Sequence, residues 1–91
     1  MPYTLIYPDS YIRRSRKFLR KHPEIHNQYR KTLELLELDP YHLSLRLHSL
    51  EGRLKGLSSV SINMSYRVVL EMMIRDEKII LVNIESHDQA Y

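Results

Sequence analysis

The stretch Ile84-Glu85-Ser86-His87-Asp88-Gln89-Ala90-Tyr91 follows directly on an apolar run, Lys78-Ile79-Ile80-Leu81-Val82-Asn83. A run this apolar reads as a strand buried inside a sheet. His87 then emerges at the strand's end, on the rim of the sheet, where a side chain is held firmly and still reaches solvent. An imidazole in that place can take or give a proton near neutral pH. Tyr91, close by, can stack on a planar ligand or donate a hydrogen bond. Other reactive groups are scattered upstream. His48 sits on the polar side of a Leu43, Leu45, Leu47 alternation, Arg53 and Lys55 lie among Gly52 and Gly56, and Tyr66-Arg67 opens a second apolar run. His22 and His26 have the i, i+4 spacing of a helical metal pair, but Pro23 between them marks a helix start and argues against one.

The elements that must position these groups follow from periodicity. Tyr3-Thr4-Leu5-Ile6-Tyr7 reads as a first strand ended by Pro8, with Asp9 or Ser10 as the cap of a helix. Tyr11, Ile12, Ser15, Phe18 and Leu19 share one side of that helix, and His22-Pro23 stops it. Ile25, Tyr29, Thr32, Leu33 and Leu36 stripe a second helix that starts at Pro23 and closes at Asp39-Pro40. The leucine alternation is extended, and residues 50–57 hold both glycines in an irregular segment. Val60, Ile62 and Met64 alternate as a strand, Arg67–Ile74 form the next, and Arg75-Asp76-Glu77-Lys78 turns into the last. The predicted fold class is α+β: a strand, a helical hairpin, then a three-stranded antiparallel meander with the hairpin on one face.

Ninety-one residues allow one domain, 1–91, with one core. Cysteine is absent, so neither disulfides nor thiolate sites contribute, and no apolar run approaches the roughly 18 residues a membrane helix needs. With no signal-type segment at Met1–Ile6, a cytoplasmic location and no membrane partner are expected. Charge is uneven. Residues 1–57 carry eleven Lys/Arg against six Asp/Glu, whereas residues 58–91 carry three against five. Arg13, Arg14, Arg16, Lys17, Arg20 and Lys21 form a block free of acids. It reads either as a surface that attracts a polyanion, or as a solvated helix face or a dock for an acidic protein segment.

This order of elements resembles the RelE/ParE superfamily of toxins from bacterial type II toxin–antitoxin modules, in its RelE-like branch. The residues that carry the resemblance are Leu47-His48-Ser49-Leu50, Gly52-Arg53-Leu54-Lys55-Gly56, Tyr66-Arg67-Val68-Val69-Leu70 and Ser86-His87-Asp88-Gln89-Ala90-Tyr91. The resemblance implies a metal-independent, cofactor-free endoribonuclease that cleaves mRNA, generally in the ribosomal A site, by attack of a ribose 2′-OH on the adjacent phosphate. It implies catalytic roles for His87, Arg67 and His48, with Arg67 clamping the phosphate, and substrate binding by Lys55, Arg53, Tyr91 and Tyr66. It also implies an acidic antitoxin as partner, in a toxin–antitoxin hetero-oligomer. Ser61 and Ser65 stand where one branch has a further histidine and an aspartate, and Glu51 is placed for the glutamate base of another. Two alternatives follow: a ParE-like inhibitor of DNA gyrase without nuclease chemistry, or a degenerate toxin that only binds its antitoxin.

Overall fold

The computed structural model describes residues 2–87. A strand β1 (Thr4–Ile6) leads into helix α1 (Asp9–Lys21), a 3-10 turn (Pro23–Ile25) and helix α2 (His26–Leu38). Short 3-10 turns at Leu43–Leu45 and Gly52–Leu54 flank a two-residue strand β2 (His48–Ser49). Strands β3 (Ser58–Ser61), β4 (Tyr66–Met73) and β5 (Lys78–Ser86) complete a five-stranded sheet of order β1-β5-β4-β3-β2. β1 runs parallel to β5, and every other pair is antiparallel. The α+β expectation holds, and the apolar run of β5 is an interior strand. Three local expectations are corrected. Pro8, not Asp9 or Ser10, occupies the helix cap, leaving Asp9 in the first turn, where the helix dipole favours a carboxylate. The Leu43-Leu45-Leu47 alternation is not extended, because a 3-10 turn buries Leu45 and leaves Leu43 91% exposed. The meander gains β2 at its outer edge, and β3 stops at Ser61 short of Met64.

Both helices cover the same face. Tyr11 of α1 and Leu36 of α2 join Leu45, Val60, Val68, Leu70, Ile79 and Leu81 in one buried cluster. Each such aliphatic side chain contributes about 1.5–3 kcal/mol on leaving water. Register then fixes what faces the other way. Val60, Val68 and Ile84 lie level across β3, β4 and β5 and point to the helices, so the flanking rows must point away. Those rows are Ser59, Val69 and Asn83, with His48 opposite Ser59, and Ser61, Arg67 and Glu85. The outer face of the sheet is therefore polar.

Two side-chain bonds secure the helices. The register of β4 and β5 slips between Val69 and Leu70, which leaves Val82 without a ladder partner. Arg14 of α1 donates to its carbonyl at 3.1 Å, so one base of the cationic block ties the helix to β5. Within the core, the hydroxyls of Tyr11 and Tyr29 bond each other at 2.7 Å. Burial, then the neighbouring Tyr29 hydroxyl, pushes Tyr11 far above the ordinary tyrosine value, and burial raises Tyr29 as well. A folded value above the unfolded one makes the unfolded chain release its proton first. Stability is therefore full below about pH 10 and falls as pH rises beyond it. Urea midpoints measured from about pH 9 to 11 should decline in the wild type. Tyr11→Phe should flatten that decline, and an equal decline in both proteins would rule out Tyr11 as its source.

Candidate functional site

The turn between β3 and β4 builds the rim. Asn63 Oδ1 accepts the backbone N–H groups of Ser65 and Tyr66 at 2.8 and 3.0 Å, an Asx turn that spends a short polar side chain on satisfying local donors. Asn63 Nδ2 in turn donates to Gln28 Oε1 of α2 at 2.9 Å, so the helix layer holds the turn in place. Ser65 then accepts the His87 N–H at 2.8 Å and extends the end of β5 along it. His87 thus stands on the rim as the apolar strand requires. It is half-buried, and its imidazole makes no hydrogen bond among the described residues. It lines an open groove of about 540 Å³ with Ser61, Asn63, Met64, Arg46, Ser44 and Gln28.

Arg67 lies beneath that rim and is not open to solvent. It is 1% exposed, and its guanidinium donates to Glu85 Oε2 at 3.0 Å across the β4–β5 ladder. Asn83 Nδ2 donates to the other carboxylate oxygen at 3.1 Å. Arg67 Nε is buried without a partner among the described residues. The pairing with Glu85 thus leaves the Nε–H without an acceptor among the described residues.

His48 occupies the far end of the same face. Its Nδ1–H donates to the Arg46 carbonyl at 2.9 Å, which leaves Nε2 of the neutral ring as an acceptor toward the buried Ser59 hydroxyl at 3.4 Å. Three strand spacings, about 14 Å, separate it laterally from β5. His48 and His87 therefore share a face but not a groove. Arg53 and Lys55 are exposed on the 52–55 turn, where Gly52 and Gly56 supply φ of +67° and +97°. No atom lies within 4 Å of a Cβ added at either glycine, so conformation rather than space calls for glycine there. Tyr66 points to the helix side. Its ring packs on Phe18 and His22 at 5.3 and 4.9 Å, and its hydroxyl meets His22 Nδ1 at 3.3 Å. Tyr91 and Asp88 lie outside the described residues.

No family model matches the chain, and no curated protein does. Solved structures do match along its whole length. Escherichia coli YafQ is 13% identical over 98% of each chain, with a TM-score of 0.76. A chain of the RelBE2 toxin–antitoxin complex of Mycobacterium tuberculosis is 15% identical over 96% of this chain and 100% of that one, with a TM-score of 0.67. The conserved hypothetical protein HP0894 of Helicobacter pylori is 22% identical over 97% of each, with a TM-score of 0.70. The chain has the RelE-like toxin fold. In this RelE-like sheet, Arg46 is the groove residue that sequence reasoning missed. It adopts a left-handed backbone, φ 52°, where it ends the 3-10 turn, a conformation no pattern of residue types announces. Among the described residues no group of three or more His, Asp or Glu could hold a metal ion, and no helix is long and apolar enough to cross a membrane.

Proposed function

We propose that this RelE-like protein is the toxin of a type II toxin–antitoxin pair, and an endoribonuclease that cuts mRNA at the ribosome and so inhibits translation. The observation that carries the reading is the His87 imidazole, without a hydrogen-bond partner among the described residues, in a groove that also presents Arg46. Attack of a 2′-OH on the adjacent phosphate requires proton transfer to or from the reacting oxygens and a cation beside the phosphoryl oxygens. His87 supplies the first, as acid or base, and Arg46 meets the developing charge from the exposed side of the groove. Arg67, paired with Glu85, acts on the phosphate only after it leaves or shares that carboxylate. His48, Arg53 and Lys55 serve the RNA strand further along the polar face, and Tyr91, outside the described residues, supplies a stacking ring. Tyr66 acts through its packing on His22, because its hydroxyl and ring are already engaged.

The partner in this reading is an acidic antitoxin, in line with RelBE2, whose solved structure is a toxin–antitoxin complex. The site of action is the cytoplasm. Induced expression in a bacterium, with transcript 5′ ends mapped, tests the proposal. New ends inside coding sequences, together with growth arrest, are expected. Arrest without new ends would replace the nuclease with another target such as gyrase. A second reading, a toxin that has kept antitoxin binding and lost its chemistry, draws on Ser61 and Ser65 beside His87, since neither hydroxyl exchanges protons near neutral pH. It predicts no arrest at all.

A further inference from the structure

The cationic block on α1 plays no part in the groove's chemistry, yet the packing aims it there. At about 100° per residue, Arg13, Arg16, Lys17, Arg20 and Lys21 fall within an arc of about 140°. That arc lies opposite the side carrying the buried Tyr11 and Ser15. All five are exposed, and none forms an ion pair among the described residues, whereas Arg14 at the edge of the arc is committed to Val82. Arg13, Lys17 and Lys21 succeed one another by about 6 Å along the axis. The helix runs along β5 toward the rim. Arg14 meets the middle of that strand at Val82, and Phe18 and His22 meet Tyr66, whose ladder partner Ser86 precedes His87. The row of cations therefore ends at the rim end of β5, where His87 follows.

We infer that the outer face of α1 is a track that holds the backbone of single-stranded RNA and leads it to the His87 groove. The face offers charge without a large apolar anchor. That suits successive phosphates, whereas a protein segment that folds on binding gains its affinity from buried apolar surface. The inference rests on the ribonuclease reading for the identity of the polymer, and on the helix geometry for its path.

The test measures binding of a fluorescein-labelled oligouridylate of about 12 nucleotides between roughly 50 and 200 mM salt. Every protein carries His87→Ala, so that cleavage does not enter the readout. Each cation removed from a single-strand contact lowers the log–log salt slope by about 0.7, so Lys17→Gln/Lys21→Gln should lower it by about 1.4. The charge-matched control Arg75→Gln/Lys78→Gln, at the opposite end of the β4–β5 hairpin, should leave the slope unchanged. Equal loss in both variants, or none in the first, overturns the track. So does loss of poly-glutamate binding with RNA binding intact, which would give the face to an acidic protein partner. Failure of the ribonuclease reading shows separately, as wild-type protein that cuts no RNA with or without ribosomes.

Discussion

Replacing His87 with alanine should lower the rate of RNA cutting by about 10²–10⁴ and leave the fold intact. Both halves of this expectation come from the same geometry. Only the backbone N–H of His87 is used structurally, in its bond to the Ser65 carbonyl, and alanine keeps that bond. The imidazole is half-buried, faces the groove and holds no partner among the described residues, so its loss strands no donor or acceptor. Single-turnover cleavage beside a thermal melt separates the two effects. A folded His87→Ala protein that cuts at the wild-type rate would remove His87 from the chemistry. A variant that melts early would show that the ring packs against something essential to the fold.

The second large effect is on stability. Arg67→Ala leaves the Glu85 carboxylate beneath the rim with Asn83 as its sole described donor, a buried charge stripped of its counter-ion. Breaking such a pair costs about 3–5 kcal/mol. In a domain of this size that lowers the melting temperature by well over 10 °C. Replacing both partners with apolar side chains of similar length removes the stranded charge. Arg67→Met/Glu85→Leu should therefore recover most of the loss, as read by urea or thermal unfolding. A double variant as unstable as the single one would show that Arg67 holds the fold through contacts other than Glu85. Once stability is restored, activity decides what Arg67 does. A folded, inactive double variant makes the guanidinium part of phosphate handling, with the Nε–H, unpaired among the described residues, the donor still to be satisfied. A folded, active one makes the pair a strut.

Much of this architecture was legible in the residues, and the exceptions share a cause. The helices and β5 declare themselves because Tyr11-Ser15-Phe18 and Lys78–Asn83 repeat at the periods of a half-buried helix and a buried strand. β2 could not be read. Two residues hold no period, and its existence depends on Ser58 and Ser59 lying alongside. The leucine alternation misled because a 3-10 turn also separates a buried from an exposed leucine over two positions. At the site, the rim position of His87 followed from the strand that carries it. The burial of Arg67 did not, since its partner Glu85 is set by cross-strand register, which sequence leaves open. One signal was present and went unused: Tyr66 and Arg67 are neighbours on a strand, so they must point to opposite faces.

The pairing of Thr4 with Lys78 joins segments far apart in sequence around the interior strand. β1 thus waits for β5, the strand that also leads into His87. Pairing over so long a separation forms late and slowly in folding. A nascent chain of this protein consequently has neither a closed sheet nor an assembled groove until β5 and His87 are in place.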